Sequence, residues 1–219
     1  MAAGTKLLMP NRIDHIAIGA SSLADGTAYL QSKIGVDVPA GGKHDLMGTH
    51  NCLMGLGDGC YFELISIDNA ASAPDRPRWF SLDEQHTSDR LTSRPRALCW
   101  IVATDNLDRT VENSPVDLGE ILELRRDDLR WRLTVPQQGN LLMGGLIPFF
   151  IEWPTDMHPS QNMVQLGIKL EAIQLTHPEP DMLTDLLSAL EVDHLCTVSK
   201  AEPSVSFALG TPQGIVVLD

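Results

Sequence analysis

The run Arg12-Ile13-Asp14-His15-Ile16-Ala17-Ile18-Gly19, followed at once by Ala20-Ser21-Ser22-Leu23, decides the architecture. Within it Ile13, His15 and Ala17 fall on one side and Asp14, Ile16 and Ile18 on the other, the two-residue period of a strand. A helix is expected next. Ser21 and Ser22 offer oxygens to the free N–H groups of a first turn, Leu23, Thr27, Leu30 and Ile34 recur at helical spacing, and Gly35 suits the residue that ends a helix. Three β-like runs follow at 36–40, 48–56 and 60–67, the last two joined by Gly57-Asp58-Gly59, in which Asp-Gly marks a hairpin. The order over residues 12–67 is βαβββ.

The same grammar restarts at Arg96. Ala97 to Val102 reads as a strand, Asp105-Asn106-Leu107 opens a short helix, and β-like runs follow at 119–124, 129–135 and 146–153, giving a second unit over 97–160. Sliding the first unit forward until Leu23 falls on Leu107 sets His15 on Cys99. Both units end in a Phe-containing strand with a glutamate, Glu63 or Glu152. A third, βαβββ-like unit over 167–219 has a strand from Lys169 to Leu175, a helix carrying Leu183, Leu186, Leu187 and Leu190 on one stripe, and three short β-like runs, with Ala172 in the place of His15. Curved sheets of this kind are completed by a partner sheet, so one of three units must pair outside the pattern, be incomplete, or pair across a subunit interface. Residues 68–96, rich in Pro, Ser, Asp and Arg and containing Arg76-Pro77-Arg78-Trp79-Phe80, form a long connecting excursion that serves as a lid or as a packed crossover.

With 219 residues, 43% of them hydrophobic, the chain can bury a sizeable core. Its formal net charge of -13 argues against nucleic-acid and anionic-membrane partners. The opening residues lack the apolar run of a signal peptide and no stretch has the length of a membrane span, so the cytoplasm is the expected compartment. Cys52, Cys60, Cys99 and Cys196 are scattered and read as reduced, mostly structural thiols.

A metal or proton-transfer site needs polar side chains converging from different strands into an apolar cavity. His15, His50 and Glu63 are the best candidates. If Asp58-Gly59 is a plain two-residue turn, His50 and Glu63 share a sheet face; a bulge would reverse that result. Two imidazoles and a carboxylate suit a divalent ion such as Fe(II), Mn, Ni or Zn. A structural reading, with a satisfied strand histidine and a solvent-facing glutamate, explains the same residues. Glu152 in Phe149-Phe150-Ile151-Glu152-Trp153 is a second candidate, as a ligand or general base, against an exposed edge-strand glutamate. Cys99 reads more readily as a core thiol than a ligand, and His158 and His177, each before proline, read as turn residues. No phosphate-binding or dinucleotide motif is present, which makes nucleotide chemistry an unfavoured reading.

These segments in this order, Ile13-Asp14-His15-Ile16, Gly48-Thr49-His50-Asn51, Tyr61-Phe62-Glu63-Leu64-Ile65, Arg76 to Phe80, Leu129 to Thr134, and Ile147 to Trp153 followed by His158-Pro159, resemble the glyoxalase-like domain proteins of the vicinal-oxygen-chelate superfamily. The resemblance spans residues 12–160. It implies an α+β fold of paired βαβββ modules curving around a cavity. The superfamily's ligand pattern, a histidine on the first strand and a glutamate on the last strand of each module, would fall on His15, Glu63, Cys99 and Glu152. The second histidine is missing, so the usual four-ligand site requires a substitute such as His50. Methylglyoxal chemistry does not follow from the fold.

Two functions stay open. One is a metal-dependent lyase, isomerase or dioxygenase acting on a small oxygen-bearing metabolite, with the metal on His15, His50 and Glu63 and Glu152 moving a proton. The other is a metal-free protein that sequesters an aromatic or hydrophobic compound in a pocket formed by Cys99, Trp100, Trp131 and Trp153. The expected partner is a small molecule, with a homodimer as a further expectation through an apolar sheet edge.

Overall fold

The computed structural model describes residues 10–126, 128–153 and 158–219. The opening residues whose apolar content bears on targeting lie, apart from Pro10, outside them. Among the described residues no helix is long and apolar enough to cross a membrane.

Strand β1 (Arg12–Gly19) leads into helix α1 (Leu23–Ile34). The Ser22 side chain accepts the Asp25 N–H at 3.1 Å, and Gly35, at φ 71°, donates its N–H to Gln31 and closes the helix. Strands β2 (Ala40–His44), β3 (Thr49–Gly57) and β4 (Cys60–Ile67) complete the first unit. β2 begins where the run at 36–40 was expected to end. Val36 and Val38 pack against the core from a linker, and ladder pairing starts only at Ala40, opposite Cys52. Helix α2 (Gln85–Ser93) lies in the excursion, followed by β5 (Arg96–Ala103), α3 (Leu107–Glu112), β6 (Glu120–Arg126), β7 (Leu129–Val135) and β8 (Phe149–Glu152).

These eight strands form one curled mixed sheet in the order β2-β3-β4-β1-β5-β8-β7-β6. β1 runs parallel to β4 and β5 parallel to β8, and the two units join along an antiparallel β1–β5 seam. Curling brings the free edges together, so that Arg126 of β6 packs across Gly42 of β2, where a Cβ would stand 2.6 Å from the arginine Cδ. The concave face carries Ala17, Ile65, Cys99, Ile101, Ala103, Leu133, Phe149 and Ile151, with Trp79, Phe80 and Leu82 of the excursion folded onto it. The crossover is therefore packed and also furnishes wall residues.

The last part of the chain, β9 (Lys169–His177), α4 (Pro180–Ala189), β10 (Thr197–Lys200), β11 (Ser204–Thr211) and β12 (Gly214–Leu218), repeats the element order but not the pairing. Its separate sheet runs β10-β9-β11-β12, because α4 returns β10 to lie parallel beside β9, whereas α1 carries the chain to the far edge of its sheet. It buries Ile173, Leu175, Phe207 and Leu209 in the same outer core as Ile16, Ile18, Trp100 and Phe150. The odd unit thus backs the first sheet and leaves the concave face to the other two.

Candidate functional site

The site begins with a bulge. Ile13 pairs with Val102 and His15 with Ile101, so Asp14 has no partner across the β1–β5 seam. The extra residue departs from strict alternation: Asp14, expected opposite His15, instead bonds to it, Oδ1 to Nδ1 at 2.7 Å. Its other oxygen accepts the Trp153 indole N–H at 2.8 Å and lies 2.9 Å from His158 Nε2. The Asp14 carboxyl is fully enclosed; burial alone would push its pKa up, but the bonds from His15 and His158 hold it well below the carboxylate range.

With Asp14 on Nδ1, the His15 ring directs Nε2 toward Glu63 of β4, 3.6 Å away, an ion pair rather than a hydrogen bond. The parallel register explains the encounter: His15 pairs with Tyr61 and Ala17 with Glu63, which puts all four on the concave face. Burial would lower the His15 pKa, yet its two carboxylate neighbours raise it to about 9. Glu63, 5% exposed, is held down to about 2 by His15 against the opposing effect of burial. The Tyr61 ring stacks on His15 at 4.4 Å.

His50 is not part of this group. The hairpin does close with Gly57 opposite Cys60, but the register shifts between Gly55 and Gly57, so Leu53 meets Glu63 and His50 meets Ser66 on the other face. That bulge delivers Asn51 instead, whose amide donates to Glu63 Oε1 at 2.6 Å. The amide's orientation follows from Gly42, whose N–H donates to Asn51 Oδ1 at 2.8 Å. A second imidazole arrives from a position not singled out in the sequence. His44, at the end of β2, places Nε2 4.0 Å from Glu63 Oε1 and 3.4 Å from the Asn51 amide nitrogen, while Nδ1 meets the Thr49 hydroxyl at 3.0 Å. Burial lowers its pKa to about 4, so His44 is neutral near pH 7.

Around these groups lies a small pocket lined by Leu53, Trp79, Phe80, Arg126, Trp131 and Trp153 in addition to the residues above. Phe80 and Ser81 both have positive φ, 60° and 56°, and the turn is anchored by Ser81 N–H to the Gly139 carbonyl and by Leu141 N–H to the Ser81 hydroxyl. Trp79 stacks on Phe80 and meets the His44 ring edge at 4.9 Å; Trp131 and Trp153 lie 5.6 Å apart.

Three further residues expected here stand elsewhere. Glu152 pairs with Arg132 across β7–β8, on the face opposite Leu133 and Ile151, and its carboxylate accepts from the Arg132 guanidinium at 2.7 Å; Asp108 binds the same guanidinium twice. It faces away from the pocket. Trp100 points to the outer core and donates its indole N–H to the Leu146 carbonyl. Cys99 is on the concave side but fully buried beneath the wall, where burial pushes its thiol pKa well up.

The β5–β8 register also decides whether the superfamily's four-ligand metal arrangement fits. Ala17, two residues beyond His15, pairs with Glu63; Ile101, two beyond Cys99, pairs with Phe149. The second unit therefore offers a protonated thiol and a phenyl ring where a histidine and a glutamate would be needed. In the first unit the Asn51 amide already donates to Glu63 Oε1 beside His44. Among the described residues no group of three or more His, Cys, Asp or Glu side chains has a metal-holding arrangement. The donor set does not fit that arrangement.

The sequence matches the glyoxalase-like domain family over residues 13–191. No curated protein matches it. In fold it is similar to a hypothetical protein from Staphylococcus aureus, at 15% identity and a TM-score of 0.62, over 95% of this chain and 84% of that one. Weaker likenesses, at TM-scores of 0.41 and 0.49, are to methylmalonyl-CoA epimerase from Mycobacterium tuberculosis (17% identity, 70% of this chain and 91% of that one) and to a variant of 4-hydroxymandelate synthase from Streptomyces coelicolor (9% identity, 94% and 60%). With the α+β architecture, the curled sheet of paired units and this family match in agreement, the chain belongs to the glyoxalase-like domain family of the vicinal-oxygen-chelate fold.

Proposed function

We propose that the concave pocket moves a proton at a carbon beside an oxygen-bearing group, making the protein an isomerase or lyase of a small oxygen-bearing metabolite. The observation that carries this reading is the buried pair in which the His15 imidazolium, backed by Asp14, faces the Glu63 carboxylate at 3.6 Å on the pocket wall. In the free site each charge quiets the other. A substrate carbonyl that takes up the His15 Nε2–H hydrogen bond removes from Glu63 the partner that depresses its pKa, so the carboxylate becomes a stronger base where the substrate's carbon-bound proton lies. Glu63 accepts that proton, and the electron pair left on carbon moves to the oxygen, where the imidazolium stabilises the negative charge. Asn51, fixed by Gly42, steadies the other Glu63 oxygen.

Exchange of carbon-bound hydrogen in deuterated water, followed by NMR with pyruvate and phenylpyruvate as probes, tests this. The wild type should exceed the uncatalysed rate and Glu63→Gln should lose about 10²- to 10⁴-fold of the enhancement. Equal rates in the two proteins would overturn the reading. Elemental analysis finding a stoichiometric divalent ion, lost together with activity in Glu63→Gln, would replace it with a metal-dependent one.

The aromatic walls favour a second reading, capture of a flat compound without turnover. Tight binding of a ring compound by a wild type with no exchange activity would select it.

A further inference from the structure

The pocket wall holds a cation without a matching anion. Trp79, a wall residue, has a buried indole N–H with no hydrogen-bond partner among the described residues. Arg126, on the concave face of β6 by alternation with Leu124, reaches the same wall, and no carboxylate among the described residues pairs with its guanidinium. Gly42 leaves the space that the Arg126 stem occupies: a Cβ there would stand 2.6 Å from the arginine Cδ, so the side chain would have to shift. The neighbouring opening between β2 and β6 is lined by Arg125, Arg126, Asp45 and Lys43, the last paired with Asp68 at 2.6 Å, so that among the described residues Arg125 and Arg126 leave a small positive excess at the rim of a chain of net charge -13. Inside, the wall combines paired rings, Trp79 with Phe80 and Trp131 with Trp153, with the aliphatic Leu53, Leu129, Leu133 and Ile151.

We infer that the ligand of this pocket is an aromatic carboxylic acid, its carboxylate seated on Arg126 and its ring against the tryptophan walls. This rests on the proton-transfer reading for the chemistry, but not for the binding. A carboxylate is the group that matches a guanidinium fork in two parallel hydrogen bonds, and the paired rings in the wall suit a flat ring beside it. The rim would draw such an anion toward the opening, and high salt would weaken that attraction.

Calorimetric titration with phenylacetate, benzyl alcohol and propionate separates the two halves of the claim. Phenylacetate should bind at least about ten-fold more tightly than the uncharged ring or the ringless acid. Arg126→Gln should bring phenylacetate to the level of benzyl alcohol, and Arg126→Lys should recover part of the loss. Thermal unfolding of each variant confirms that a folded protein was titrated. Equal binding of phenylacetate and benzyl alcohol, or an unchanged ratio in folded Arg126→Gln, would overturn the inference. Failure of the proton-transfer reading looks different: aromatic acids bind with the expected Arg126 dependence, yet the wild type exchanges no carbon-bound hydrogen.

Discussion

A charged imidazole can be kept where water barely reaches only if anions meet its nitrogens, and His15 has Asp14 on one and Glu63 facing the other. This fixes the direction in which stability depends on pH. The His15 pKa rises from 6.5 in the unfolded chain to about 9 in the fold, so its contribution is fully present below pH 6.5 and is lost as pH climbs through 9. His44 does the reverse. Its folded pKa drops from 6.5 to about 4, because burial disfavours the charged ring, so stability is lost as pH falls from 6.5 through 4. Thermal unfolding at constant ionic strength should therefore show a maximum near pH 6.5. In His15→Gln the decline between pH 6.5 and 9 should flatten while the acid limb persists; an alkaline limb unchanged by the substitution would contradict the assignment.

At the level of the element, two bulges decide which side chains meet, and this is where legibility in the sequence ends. Of the first unit, β1, α1, β3 and β4 follow from alternation in 12–19, the Ser22 and Gly35 ends of α1, and the Asp58-Gly59 turn, all local signals, whereas β2 begins only where the expected run at 36–40 ends. His15 with Glu63 was legible too, since both lie on β strands at positions that parallel pairing aligns. Register beyond a bulge is set by packing on both faces, so the turn residues could not say whether His50 or Asn51 would meet Glu63. Asp14 left one readable trace, an acidic residue inside an otherwise apolar strand. His44, in the polar run Gly41-Gly42-Lys43-His44-Asp45, left none, because its role arises only when β2 closes against β3. Alternation along β8 likewise turns Glu152 outward to Arg132. Glu152→Gln should accordingly leave hydrogen exchange within about two-fold of wild type, the change expected of a residue away from the chemistry, and cost about 0–1 kcal/mol of stability as a partly exposed ion pair. A loss comparable to that of Glu63→Gln would return Glu152 to the catalytic centre.

Across the whole molecule the third unit has a mechanical role that its repeat-like sequence conceals. A curled sheet with a pocket on its concave side still has an outer face to bury, and α1 and α3 cover it only in part. The remainder is joined to the second sheet through one cluster that includes Ile16, Ile18, Trp100 and Phe150 on one side and Ile173, Leu175, Leu187, Phe207 and Leu209 on the other. Full burial of such a side chain is worth about 1.5–3 kcal/mol. Uncovering several would consume most of a typical domain's margin of roughly 5–15 kcal/mol. A chain ending at residue 167 retains every pocket residue yet should fail to unfold cooperatively and should bind an apolar dye such as anilinonaphthalene sulfonate. Because no pocket residue lies beyond 167, adding residues 168–219 back as a separate polypeptide should restore cooperative unfolding if packing is all they supply. A truncated chain that melts sharply near the wild-type temperature would show instead that the two paired units stand alone and that the second sheet serves another purpose.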